Sequence, residues 1–319
     1  MLNYWFKRLQ PQWLLGAIFT GICLVSANVQ ASSATITVTD NIGPHQIPAH
    51  VKKLIVYNPE ILDTLHALGV HVAGVPKVET SLPAFLKEYD QSKYLNAGSM
   101  FEPDFEALSR FKPDLIIAGG RTTRADKELS KIAPTLNLDA DMKQFPDSLL
   151  KQTIKLGQIF GKQQKAQQLV KEFKQEVAKT QALLPKQHKR ALFILITGGR
   201  LSAFGPGSRF GFIYNTLNFT PALTQLKSMG PHGNLISSEL LHQANPDWLF
   251  VLDRDAAIGR KDAKPAAQVL NNPLVNSTNA AKLKHIVYVN PAEMYVAGGI
   301  TTYLHAIKNI RQILKKQNQ

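Results

Sequence analysis

Three arginines stand where an apolar run gives way to a turn. Arg121 follows PDLIIAGG (113–120), Arg254 ends PDWLFVLDR (246–254), and Arg209 lies inside GGRLSAFGPGSRFG (198–211). Guanidinium groups in such places bind oxyanions through forked, charge-assisted hydrogen bonds. Each arginine alone suits a surface salt bridge equally well; together, at matched strand ends, they favour a binding site for an anionic ligand. The glycine-rich stretch first suggests a nucleotide, but Gly205, Gly207 and Gly211 are spaced one residue too widely for the dinucleotide fingerprint. No Gly-Lys-Ser/Thr follows either, as a phosphate loop requires. Arg209 precedes the helix-like FGFIYNTLNF (210–219), where backbone N–H groups favour anions. Arg200 reads as structural, and Arg124 as a helix-surface residue.

The elements that must position these groups alternate. KKLIVYN (52–58), VHVAGV (70–75), PDLIIAGG, RALFILITGG (190–199), PDWLFVLDR and KHIVYVN (284–290) are short β-rich runs bounded by turn residues. Between them lie amphipathic stretches such as PEILDTLHALG (59–69) and TTYLHAIKNIRQILKK (301–316). This pattern predicts an α/β fold with largely parallel sheets, whose ligands bind beyond the carboxyl ends of the strands. One uninterrupted amphipathic helix is expected over 161–184, between a first lobe at 32–160 and a second at 185–319, because the chain exceeds a usual single core. An internal echo supports two lobes. FEALSRFKPDLIIAGGR (105–121) and SELLHQANPDWLFVLDR (238–254) align without a gap, matching Glu106 with Glu239, Pro113-Asp114 with Pro246-Asp247, and Arg121 with Arg254.

Residues 1–31 read as a cleavable export leader: Lys7 and Arg8, an apolar run from Leu14 to Val25, then small residues at Ala27 and Ala31. The sole cysteine, Cys23, lies inside this segment behind Ile22, where a lipid-attachment signal calls for a small residue. A lipoprotein is therefore the disfavoured form, and the mature core must hold without disulfides. The formal charge of +14, two of it in the leader, points to an anionic ligand, a membrane surface or nucleic acid. Export and the lack of an aromatic-interleaved basic tract argue against nucleic acid.

SAFGPGSRFG, HGN (232–234), NPDWLFVLDR, NNPLV and VNPAEMYVAGG (289–299) resemble the periplasmic siderophore-binding proteins of iron-uptake ABC transporters, in particular those for catecholates of the enterobactin kind. The resemblance spans nearly the whole mature chain. It implies two Rossmann-like lobes joined by one long helix, a periplasmic monomer with no intrinsic cofactor, and Fe(III) carried as a siderophore complex. Arg121, Arg209 and Arg254 correspond to the arginines that hold the ferric catecholate. His232 and Tyr295 correspond to residues that complete the iron's coordination when a siderophore supplies only four donor atoms. Glu106 and Glu239 correspond to glutamates that dock, one per lobe, on an inner-membrane permease dimer served by its ATPase. Read without the resemblance, His232 suits a solvated loop, Tyr295 a core position, and the two glutamates simple helix starts.

The same architecture serves other iron chelates, haem, cobalamin and oxyanions, and fold does not choose among them. Haem or cobalamin calls for broad apolar walls, whereas the residues singled out here are cationic. The chain carries no Gly-x-Ser-x-Gly elbow, no His-Glu-x-x-His pair and no phosphate loop, so the expectation is a binding protein and not an exported enzyme.

Overall fold

The computed structural model describes residues 34–77, 82–184, 186–187, 189–226, 230 and 232–317. The leader expected at 1–31 lies outside them. The described chain begins with a hairpin, β1 (Thr35–Thr39) against β2 (Pro44–Pro48), which buries Val38 and Ile47. The first sheet follows, built from β3 (Leu54–Val56), β4 (Gly74–Val75), β5 (Leu95–Asn96), β6 (Leu115–Ala118) and β7 (Thr135–Asn137). It runs β5-β4-β3-β6-β7 with every pairing parallel. Residues of β3 and β6 are buried throughout, as a parallel sheet covered on both faces requires.

The second sheet contains β8 (Arg190–Thr197), β9 (Arg200–Phe204), β10 (Thr220–Pro221), β11 (Asn234–Ile236), β12 (Trp248–Asp253) and β13 (Ile286–Tyr288). It runs β11-β9-β8-β12-β13, with β10 also on β8. Pairing here is mixed, with β10 parallel to β8. β12 pairs parallel with β8 and β13, but β9 runs antiparallel to both β8 and β11. The cause is the pair Gly198-Gly199, whose φ angles of 54° and 75° form the tight two-residue turn that folds a strand back on its neighbour. Half of the stretch that reads as a loop is therefore a hairpin, and only Gly205–Gly211 remains irregular.

Between the sheets the chain forms helices Asp147–Ile159 and Gln163–Gln181, separated at Gly161, where φ is 65°. The second helix buries Ala166, Leu169 and Phe173, a stripe at helical spacing. It packs on its predecessor and on the C-terminal helix Ile300–Gln317, to which Lys308–Glu172 (2.7 Å) and Arg311–Glu176 (2.9 Å) ion pairs also tie it. Among the described residues no helix is long and apolar enough to cross a membrane.

The sequence echo is a structural one. Helices Phe105–Phe111 and Ser238–Ala244 are capped by Asp104 and Ser237 and end in left-handed residues, Lys112 and Asn245. The Pro-Asp that follows does the same work in each lobe. Asp114 accepts the Lys52 and Lys53 amides at 2.8 Å, tying the start of β6 to β3; Asp247 accepts the Arg190 amide at 3.1 Å, tying β12 to β8.

One buried carboxylate joins the two ends of the chain. Asp63, on the helix Pro59–Leu68, accepts the amides of Gly299 (3.0 Å), Thr301 (2.9 Å) and Thr302 (3.1 Å) and the Thr302 hydroxyl (2.8 Å). It thus caps the C-terminal helix, whose unpaired first amides and dipole favour a negative charge. At Gly299 the approach is too close for a side chain, since a Cβ there would lie 2.7 Å from Asp63 Cβ.

Candidate ligand-binding cleft

Arg121, Arg209 and Arg254 come from three separate turns and line one cavity of about 830 Å³ between the lobes. Arg121 follows β6 through Gly119-Gly120. Gly119 sits at φ 119°, and a Cβ there would lie 2.6 Å from Asp139 Oδ1. Asp139 accepts the Gly120 amide at 2.8 Å and the Asn58 side-chain amide at 2.7 Å, so it fixes the turn that launches Arg121. Arg209 leaves the turn that follows β9. There Gly207 takes φ 74° and the Ser208 hydroxyl donates to the Gly205 carbonyl at 2.6 Å. Arg254 opens the short helix Arg254–Ala257, capped by Asp253.

The three guanidinium groups converge on Tyr295. Their central carbons lie 5.9 Å (Arg121), 5.2 Å (Arg209) and 5.3 Å (Arg254) from its ring centroid, within cation–π range. Arg254 Nε donates to the Tyr295 hydroxyl at 2.7 Å, and Arg209 donates to the Tyr295 carbonyl at 2.6 Å. Tyr295 lies in a π-helical turn, Ala292–Ala297, that ends at Gly298 with φ 85°; such turns are frequent at functional sites. Arg121 also lies over Phe101, an exposed ring at the cavity mouth.

Glu60, Asp139 and Asp141 line the same cavity. Burial pushes the Glu60 carboxyl up to about 8, and the nearby Asp139 adds to the rise against the pull of Arg209. Its Oε1 is sealed from solvent and has no hydrogen-bond partner among the described residues. Burial likewise raises the Asp139 carboxyl and lowers the Arg209 guanidinium, which Arg121 lowers further. A cluster of cations with an under-satisfied carboxyl group is costly in an empty cleft and favourable around an anion that also offers hydrogen-bonding groups.

His232 lies on the exposed loop before β11 and lines an adjoining cavity of about 500 Å³ that also includes Tyr295 and Arg254. The structure thus brings His232 and Tyr295 to one chamber, while His232 does not border the larger cleft. Arg200, read as structural, lines that same chamber. Arg124 is exposed on the helical turn after Arg121, as expected. Glu106 and Glu239 occupy the second position of their two capped helices and are exposed, Glu106 paired with Arg110; neither borders the cleft. Sequence reasoning missed Glu60 and Asp139. Glu60 sits in an ordinary helix start behind Pro59, and Asp139 in a loop without motif, so only the fold shows what they face.

The periplasmic binding protein family model matches residues 54–293. The petrobactin-binding protein YclQ of Bacillus subtilis is 36% identical over 274 residues, 85% of each chain, and its solved structure superimposes with a TM-score of 0.82 over 88% of this chain and 99% of that one. The ferric-anguibactin-binding protein FatB of Vibrio anguillarum is 32% identical over 88% of this chain and 87% of its own. The periplasmic catecholate-siderophore binding protein VctP of Vibrio cholerae has 30% identity and a TM-score of 0.81 over 88% of this chain and all of its own. With the family match running from β3 to the turn that carries Tyr295, and two lobes closing on one cationic cleft, the chain belongs to the periplasmic binding protein family.

Proposed function

We propose that the protein captures a ferric catecholate siderophore between its lobes and delivers it to an inner-membrane ABC permease. The observation that carries this reading is the convergence of Arg121, Arg209 and Arg254 on the Tyr295 ring. A ferric catecholate is bulky and multiply negative, and it presents phenolate oxygens that guanidinium groups address through charge-assisted hydrogen bonds. Relatives named for petrobactin, anguibactin and catecholate siderophores support the same class of cargo. Iron is cargo here and enters as the complex; Tyr295 and His232 are the residues that would supply a phenolate and an imidazole to a siderophore with only four donor atoms.

Division into lobes at 32–160 and 185–319 around the segment 161–184 belongs to this reading, as do export by residues 1–31, the periplasm, a monomeric state and docking through Glu106 and Glu239. The chemistry is binding, not turnover.

The test is to add ferric catecholate, ferric hydroxamate, haem and cobalamin separately, followed by calorimetry and by the visible band of the iron complex. Trp248 is a poor reporter, because it is buried at the start of β12 and stacked on His285, at the opposite end of that strand from Arg254. Saturable binding of the first ligand is expected. Binding of another ligand with no response to ferric catecholate would reassign the cargo.

A further inference from the structure

The chamber beside the main cleft differs from it in charge. Arg200, Arg254, Arg260 and His232 line it together with Thr197 and Tyr295, and among the described residues no Asp or Glu does. The main cleft, by contrast, is also lined by the carboxyl groups of Asp139 and Asp141 and by Glu60, which burial keeps protonated at neutral pH. Arg254 and Tyr295 border both spaces, so the two meet at that pair.

The chamber is also built. Asp255 is almost fully buried beneath it, 2% exposed, and organises its wall without facing into it. Asp255 accepts the Thr197 hydroxyl at 3.0 Å and the Gly198 amide, and its Oδ1 pairs with Arg260 at 3.1 Å. Thr197 Oγ1 in turn accepts from Arg254 at 3.2 Å. Gly198-Gly199 then turns the chain so that Arg200 stands directly across the hairpin from Thr197. One buried carboxylate thus orients two of the three guanidinium groups and fixes the turn that presents the third. Asp255 offsets only one of these cations directly, so the chamber keeps a surplus of positive charge with guanidinium N–H groups to offer an anion.

We infer that this chamber is a second subsite, in which Arg200 and Arg260 bind a carboxylate carried by the chelate whose iron sits at the Tyr295–Arg254 junction. This rests on the reading of the cleft as a ferric-chelate site and goes beyond it, since it assigns the cargo an anionic substituent outside the catecholate oxygens. Geometry supports the direction. His232 borders only the chamber and Tyr295 borders both spaces, so iron that both residues reach lies at the junction, and part of its chelator extends past Arg254 toward Arg200. A carboxylate matches the planar fork of arginine.

The experiment compares ferric complexes of two bis-catechols that are identical except for one carboxylate on the linker. The wild-type protein is expected to bind the carboxylate-bearing complex about tenfold more tightly, the equivalent of one charge-assisted contact, and mainly through slower dissociation. The double variant Arg200→Ala with Arg260→Ala should lose that preference while binding the plain complex as the wild type does. Because Arg260 pairs with a buried aspartate, Arg200→Ala with Arg260→Lys is run in parallel; it keeps a cation for Asp255 but removes the fork. Equal dissociation of the two complexes from the wild type would overturn the subsite, as would a preference that survives in both variants. A preference seen only in association rates would also overturn it, since long-range attraction acts there. If neither complex binds, the ferric-catecholate reading falls. The subsite then rests on thermal stabilisation of the iron-free protein by tricarballylate, which the wild type should show and the variants lack; no such difference overturns it.

Discussion

Arg254 Nε donates a hydrogen bond to the Tyr295 hydroxyl at 2.7 Å, and the same guanidinium reaches Thr197 at 3.2 Å. The phenol oxygen is therefore already held as an acceptor, fixed in place where Arg254 and the adjoining chamber meet. Tyr295→Phe keeps the ring around which the arginines gather and removes only the oxygen. It should weaken a four-donor ferric catecholate by tenfold or more (about 1.4 kcal/mol per tenfold), abolish any tyrosinate-to-iron contribution to the visible band, and leave a six-donor complex nearly unaffected. His232→Ala should act in the same direction. Equal losses for both kinds of complex would assign the two residues to packing.

The arginines differ in their surroundings, and the ranking of their effects follows. Arg209 is half-buried and bonded to the Tyr295 carbonyl, whereas Arg121 is exposed and held through its turn. Each replacement by alanine should weaken a ferric catecholate by about 1–3 kcal/mol, with Arg209 at the upper end and Arg121 at the lower. The losses should not sum, because one ligand is shared. Calorimetry on single and triple variants decides, and unchanged affinity in the triple variant removes the site.

How far the sequence disclosed this site depended on how local each signal is. The arginines were legible because each ends a recognisable strand–turn unit, and the Pro-Asp echo was legible because Asp114 and Asp247 repeat one strand-tying role at one spacing. β9 was not, because RLSAF (200–204) between glycines is too short to show a sustained alternation and looks like a loop. Glu60 and Asp139 were invisible for a different reason. Their chemistry comes from burial against each other and Arg209, which brings together positions distant along the chain and leaves no pattern in it.

Glu60 gives stability a specific pH dependence. Its carboxyl is raised to about 8 in the folded protein by burial first and Asp139 second, against an ordinary value of about 4.3. Between these values the unfolded chain releases a proton that the folded protein retains, so this group's contribution falls as pH rises. Below about pH 4 both states hold the proton and the penalty is absent; above about pH 8 it is fully developed. Glu60→Gln mimics the protonated form, so the melting temperature of the variant relative to wild type should climb from pH 5 to pH 8. A constant difference across that range would show that Glu60 is not held protonated.

Asp63 links a helix of the first lobe to the helix that ends the chain through four accepted hydrogen bonds. Asp63→Ala would leave three amides short of their partner, at about 1–3 kcal/mol for each group left unsatisfied in the interior, while the Thr302 hydroxyl loses its 2.8 Å bond and keeps only the Glu293 carbonyl at 3.4 Å. Chemical denaturation should show a severe loss of stability. Asp63→Asn, which keeps one acceptor oxygen, should lose less. Equal losses would mean that the carboxylate's charge, and not its bonds, holds the helix.

Glu106 and Glu239 lie at equivalent positions of two capped helices on the two lobes, and both are exposed. A carboxylate in the first helical turn is favoured by the dipole, and this accounts for each residue singly. It does not account for the match, since the surrounding cap, left-handed terminus and Pro-Asp strand tie are repeated with them. Two equivalent anionic points, one on each lobe, suit a permease dimer that offers one cationic site per subunit. Exposed charges at a rim contribute to orientation and recognition more than to the fold. Glu106→Ala with Glu239→Ala should therefore leave the melting temperature and ferric-siderophore affinity close to wild type while abolishing uptake into vesicles that contain the permease and its ATPase. Each single variant should retain partial transport. Full uptake by a double variant shown to bind its cargo normally would reduce both residues to favourable helix starts.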